Sequence, residues 1–251
     1  MAKQNLTEKP RKGKSIQSRL ILLLLFILIP VLAIQSYIYY ETYQVSRAAE
    51  LHANLEIAHT VAKGFDSFIK DIIHQELALG RIITSAKHMT GKDINGLLEE
   101  TSQNYMTVRD FTWIDAQGIA LYSSNPDLLG RHLQDRSYFR DIVNGREWIV
   151  GELVLSKSTK KPVFGVSCGI RDNKGILLGI VLGVVIPEKL GVRLAVEKSE
   201  GRTFALVDNK GALVFHHPAV NHTWKERKNF LKLLPQFKDA LQGKEVTSTI
   251  L

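Results

Sequence analysis

The residue types best suited to chemistry gather in one short run, Asp135-Arg136-Ser137-Tyr138-Phe139, with a few others scattered along the chain. A guanidinium offers a planar fork of donors that matches a carboxylate, and adjacent aromatic rings can stack on a small ligand and exclude water. The competing reading of Arg136 is a solvated helix residue paired with Asp135 or Asp141. Tyr122, at the end of a predicted strand, either closes a pocket or belongs to the core. Ser156, Lys157 and Ser158 form a polar turn that supplies ligand contacts or only solubility. Reactive chemistry is thin elsewhere. His216 and His217 are neighbours on a predicted strand and would point to opposite faces, which argues against a metal pair. Lys12-Gly-Lys-Ser15 lacks the earlier glycine of a phosphate-binding loop, since Glu8 stands at that place. Cys168 is the single cysteine, which excludes an internal disulfide or a Cys-x-x-Cys site and reads as a small buried apolar side chain. No His-Glu-x-x-His, Gly-x-Ser-x-Gly or paired-acid constellation is present. The expectation is reversible binding, with no catalysis, metal or cofactor.

The elements that must position these residues start with a membrane anchor. The net charge of +8 is concentrated in residues 1–19, where Lys3, Lys9, Arg11, Lys12, Lys14 and Arg19 face Glu8 alone, leaving +5 in that tail. Residues 20–40 carry no charge, and at about 1.5 Å rise per residue they match one bilayer core. Basic residues before the segment and Tyr37, Tyr39 and Tyr40 at its end fit the positive-inside rule and an aromatic belt. A cleaved signal peptide is the rival, but small residues are poorly placed for cleavage around Ala33. A retained signal anchor therefore places the tail in the cytoplasm and residues 41–251 outside it. That topology argues against nucleic acid as a partner.

Residues 41–91 read as one long helix. Ala48, Leu51, Leu55, Ala58, Ala62, Phe65, Ile69, Ile72, Leu79 and Ile83 follow alternating three- and four-residue steps, with Glu76 breaking the stripe. A second apolar set, Val61, Phe68, Ile73 and Leu77, gives the helix another face, so it can cover its own sheet and pair in a homodimer. The simpler alternative is a helix that covers a sheet with no dimer. After a helix near Lys92–Gln103 the pattern changes to short β-branched and aromatic runs. Strands are predicted within Phe111–Tyr122 (a hairpin), Trp148–Leu155, Pro162–Ile170 and Ile176–Ile186, with a helix at Gln134–Val143. These make a five-strand antiparallel sheet with an inserted helix. Phe111-Thr-Trp-Ile-Asp115-Ala-Gln-Gly118 recurs 93 residues later as Phe204-Ala-Leu-Val-Asp208-Asn-Lys-Gly211, which predicts a second, incomplete lobe over residues 196–251 after a first over 92–195.

In this order of elements the chain resembles the double Cache (dCache) sensor domains of bacterial transmembrane receptors, most of all histidine-kinase input regions. The resemblance rests on Asp135-Arg-Ser-Tyr-Phe139, Gly151-Glu-Leu-Val-Leu-Ser156, Lys161-Pro-Val, Asp172-x-x-Gly175 and Gly183-Val-Val-Ile186. It implies an α+β fold with two tandem PAS-like lobes, the first membrane-distal and the second membrane-proximal. It also implies a ligand pocket in the distal lobe lined by Arg136, Tyr138 and Phe139. Amino-acid-binding members carry an aspartate on the fifth strand for the ligand's ammonium. Val185 aligns with it here, so the resemblance points to a small carboxylate-type ligand. Recognition of a protein partner without a small ligand is the alternative, and any kinase or diguanylate cyclase activity would belong to a cytoplasmic output.

Overall fold

The structure is a computed structural model, and it describes residues 16–86, 88–156, 158–194 and 203–244. The chain divides after Ile57 into two units.

In the first unit the described residues belong to a single helix, α1 (Ile16–Ser85), which contains Pro30 and continues into the second unit. Leu20 to Tyr40 are exposed along it, and it is the one helix among the described residues long and apolar enough to cross a membrane. Proline interrupts one backbone bond there, a loss that helices of this apolar kind tolerate.

In the second unit the end of α1 lies on a sheet. A break at residues 86–90 leads to α2 (Gly91–Asn104). Thr90 closes the break as a capping box: its hydroxyl accepts from the Asp93 amide, and the Asp93 carboxylate accepts from the Thr90 amide. Those bonds, with the hydrogen bond from the Thr90 hydroxyl and the charge of Lys92, hold the Asp93 carboxyl below its ordinary range. The strands are β1 (Val108–Asp115), β2 (Ala120–Ser123), β3 (Trp148–Val150), β4 (Val154–Leu155), β5 (Pro162–Arg171) and β6 (Leu177–Val185). They pair antiparallel in the order β2-β1-β6-β5-β3, with β4 also on β5. The inserted helix α3 (Ser137–Val143) is shorter than its predicted span.

Central strand β6 shows how the sheet separates two cores. Val181 and Val185 turn towards a cluster with Ile72, Leu79, Leu98 and Phe111, under α1 and α2. Ile180, Leu182 and Val184 turn to a second cluster with Ile142, Phe139 and Leu133, under α3. Period-two alternation on a strand buried on both faces explains why its sequence is continuously apolar. The predicted single strand Trp148–Leu155 is in fact two. Gly151 still donates its amide to the Gly165 carbonyl of β5, and the ladder breaks at Glu152–Leu153, where Leu153 turns its side chain into the first cluster and Val154 lies exposed.

A short helix, α4 (Leu190–Leu194), follows the sheet. The later residues form a two-stranded antiparallel sheet, β7 (Phe204–Val207) with β8 (Leu213–His217), and helix α5 (Trp224–Lys228). Val214 and Phe215 of β8 join the first cluster. The repeat seen in the sequence has a geometric basis. Gly118, Gly175 and Gly211 all adopt positive φ at the close of an Asp-x-x-Gly turn, a conformation favouring glycine. Each turn is preceded or followed by a register shift in its ladder.

Candidate functional site

A cavity of about 160 Å³ opens on the α3 side of the sheet. Leu182 and Val184 of β6, with Val163 and Phe164 of β5, form its apolar floor, and Leu133 and Leu128 its side. Its polar wall comes from Arg136, Ser137 and Tyr138 at the start of α3, from Arg131, from Arg109 of β1, and from Gly151–Glu152 and Ser156.

The three guanidinium groups are not equivalent. Arg109 is committed: its Nε and Nη2 bind the buried Asp110 carboxylate at 2.7 and 2.6 Å, and its Nη1 donates to Ser156 Oγ at 3.0 Å. Its charge is spent on Asp110. Arg131 donates Nε to the Asp127 carbonyl at 2.6 Å and leaves its other donors without a partner among the described residues. Arg136 occupies the N-cap of α3, where its side chain makes no cap bond. Its one ion pair, to the exposed Asp135, is long at 3.8 Å. A guanidinium facing a cavity with its fork unspent is set to take an anion. Tyr138 packs on the second cluster beside it, and burial raises its phenol well above the ordinary value against the opposing pull of Arg136, so the hydroxyl stays protonated as a donor.

The structure brings Arg136, Tyr138 and Ser156 together on this cavity. Phe139 is not on its surface; it lies beneath, buried in the second core cluster one residue round α3 from Tyr138. Tyr122 is on β2 opposite Trp113, packs on the first cluster on the other side of the sheet, and touches Gly91. Lys157 lies outside the described residues. Val185, which the resemblance aligns with the fifth-strand aspartate, faces the opposite core, while its neighbour Val184 faces the cavity. Arg109, Arg131 and Glu152 were not anticipated, because each comes from a different element and no local pattern joins them. The one acidic residue on the cavity among those described, Glu152, is already paired with Lys210 at 2.7 Å.

The other reactive residues are occupied elsewhere. Cys168 is buried between β3 and β6, and burial pushes its thiol up to about 12. His216 holds the Pro218 carbonyl at 2.7 Å through Nδ1 and meets the rings of His222 and Phe230 edge-on, while His217 packs on Phe204. Among the described residues no three potential ligands gather for a metal ion.

An antiparallel sheet with a long leading helix on one face and a cationic, apolar-floored cavity on the other is the architecture of a class of sensor domains. The chain belongs to the Cache domain family, whose model (dCache_1) matches residues 43–250. Solved structures with the same fold include an extracellular ligand-binding receptor from Desulfohalobium retbaense, at 11% identity and TM-score 0.54. That match covers 70% of this chain and 33% of the receptor's, so the chain spans about a third of its length. The sensor domain of the V. cholerae histidine kinase DctB matches at 14% identity and TM-score 0.53, over 73% of this chain and 76% of that one. The ligand-binding domain of the Pseudomonas aeruginosa amino acid chemoreceptor PctC, solved with GABA, matches at 20% identity and TM-score 0.53, over 67% and 75%. Among curated proteins no sequence match is found.

Proposed function

We propose that this chain is the extracytoplasmic input region of a bacterial transmembrane signal transducer, anchored in the inner membrane by residues 20–40, and that its cavity binds a small organic carboxylate. The observation that carries this reading is the Arg136 fork, tied only by a long ion pair to Asp135, on an apolar-floored cavity. Arg131 and the Tyr138 hydroxyl add donors on the same wall, while Asp110 and Lys210 neutralise the remaining charges there. The chemoreceptor domain of the same fold holds GABA, which carries a carboxylate together with an ammonium, and so supports a small organic ligand without deciding between the two groups. Membership of a family of sensory, non-catalytic domains supports signalling without chemistry in this region. Pairing of two chains through α1 would pass the signal to a cytoplasmic kinase, cyclase or chemoreceptor output.

Calorimetry of the detergent-solubilised chain against acetate, butyrate, pyruvate and succinate tests the cavity. Arg136→Ala should weaken binding by about tenfold or more, the loss expected for a charge-assisted bidentate contact, and Arg136→Lys should recover part of it. If binding survives Arg136→Ala unchanged, the site is elsewhere; if no carboxylate binds, recognition of a protein partner becomes the better reading.

A further inference from the structure

Three Asp-x-x-Gly turns close hairpins in this chain, and in each the aspartate Oδ1 accepts two amide protons of its own turn. Asp115 takes those of Gln117 and Ile119, Asp172 those of Lys174 and Ile176, and Asp208 those of Lys210 and Ala212. At Asp115 and Asp172 the second oxygen makes no further hydrogen bond to a described residue. At Asp208 it leaves the turn: Oδ2 accepts the Leu153 amide proton at 3.2 Å. Two residues on, Lys210 pairs with Glu152 at 2.7 Å, which raises the lysine's pKa.

These contacts land on one segment. Residues 151–156 wall the cavity, and within them Leu153 is the point where the ladder to β5 is broken. The Leu153 amide thus takes its acceptor from the second sheet, and its side chain is buried with Val214 and Phe215 of β8. Gly151, Val154, Leu155 and Ser156 bond or pair with β5 or the residue before it, so only Glu152 and Leu153 lie outside the ladder, and there Asp208 supplies the acceptor. The lysine pair is exposed and adds little by itself; the charge-assisted bond to a backbone amide is the directional part.

We propose that Asp208 and Lys210 are positioning residues for the cavity, so that the β7–β8 turn sets ligand affinity and ligand binding is felt in turn at β7–β8. The proposal rests on the reading of the cavity as a carboxylate site. The two directions are one quantity: if the state of the turn changes ligand affinity by some factor, the ligand changes the turn by the same factor. No structural relay through the long helix is required for this coupling.

Asp208→Asn isolates the contact, because the amide oxygen still accepts within the turn while the NH2 group cannot accept from Leu153. Asp172→Asn makes the same change at a turn with no such reach and serves as the control. Hydrogen exchange by mass spectrometry on the full chain, without ligand, should show faster exchange across 151–156 in Asp208→Asn and not in Asp172→Asn. Calorimetry with the four carboxylates named above should show Kd altered about fivefold or more in Asp208→Asn, the scale of coupling between linked sites. A bound carboxylate should alter exchange across 204–217 in the unaltered chain and not in the variant. Asp208→Ser, whose single side-chain oxygen can serve the turn but not Leu153 as well, makes the same test should Asp208→Asn not fold. Unchanged exchange at 151–156 overturns the proposal, whether or not any carboxylate binds. Carboxylate binding that depends on Arg136 but is indifferent to both variants overturns it while leaving the cavity reading intact.

Discussion

Glu76 is the group whose removal the structure prices most clearly. It sits on α1 with no exposure, facing Gly183 of β6; Oε1 accepts the Gly183 amide proton at 2.8 Å, and Oε2 is buried without a partner among the described residues. Burial raises its pKa well above the ordinary 4.5, with the Gly183 amide pulling the other way. A folded-state pKa above the unfolded one means that the native protein holds the proton more tightly. The stabilisation is therefore full below the unfolded value and is lost as pH rises towards the folded one. Over that window the loss approaches about 1.4 kcal/mol per pH unit for the one proton. Glu76→Gln keeps the acceptor for Gly183 and cannot ionise. Its stability relative to the unaltered chain should therefore grow as pH rises from about 5 to 8, a divergence of several degrees in Tm at about 2–4 °C per kcal/mol for a unit of this size. Glu76→Ala lacks the acceptor as well, leaving a buried amide unsatisfied at about 1–3 kcal/mol and opening a cavity. Thermal unfolding of the detergent-solubilised proteins across that pH range checks this. Parallel stability curves for the unaltered chain and Glu76→Gln would refute the reasoning, since they would mean that Glu76 ionises as easily folded as unfolded.

Two further outcomes follow from the same core. A Cβ added at Gly183 would lie 2.9 Å from Glu76 Oε1 and 3.1 Å from the Phe111 ring, so Gly183→Ala should cost about 1–3 kcal/mol by overpacking, read as a drop in Tm. Cys168, buried and with its thiol pushed up to about 12, should react with a maleimide in the native protein only as fast as the sheet opens, while unfolding makes it fully reactive. Rapid stoichiometric labelling of the folded chain would show that β5 is not where the structure puts it.

Elements with a strong local pattern were legible in the sequence. The uncharged run from Leu20, the double stripe of α1 and the Asp-x-x-Gly turns each rest on spacing, which a single chain displays. Positions that depend on which face a strand residue takes were legible only to within one residue. Val184 and Val185 carry the same side chain, so nothing in the sequence says which faces the cavity, and a one-residue slip exchanges the faces. The break in Trp148–Leu155 was hidden for a related reason. The run is apolar enough to be one strand, and it divides because Leu153 finds its acceptor on Asp208, 55 residues away. Arg109 and Glu152 were invisible as cavity residues because their neutralising partners, Asp110 and Lys210, lie in different elements from Arg136.

That distribution of partners is what gives the cavity its sign. Counting cationic side chains on the wall alone suggests a strongly basic pocket, yet Arg109 is cancelled by Asp110 at 2.6 Å, in a site where Asp110 is itself almost fully buried. A buried pair of this kind is held by the cost of separating it, so a ligand cannot readily draw Arg109 away. Glu152, the one acidic residue among those described on the wall, is held by Lys210 in the same way but at the surface, where the pair is weak. What remains is Arg131, which has no acidic partner among the described residues, and Arg136, whose one ion pair is the long contact to the exposed Asp135. The excess is therefore positive and concentrated beside Tyr138, on a floor of valine and leucine that offers no ammonium partner. A carboxylate fits that balance without any rearrangement. On the proposed reading, a zwitterion's ammonium would share Glu152 with Lys210, so its affinity would be tied to the β7–β8 turn in a way that a simple carboxylate's would not.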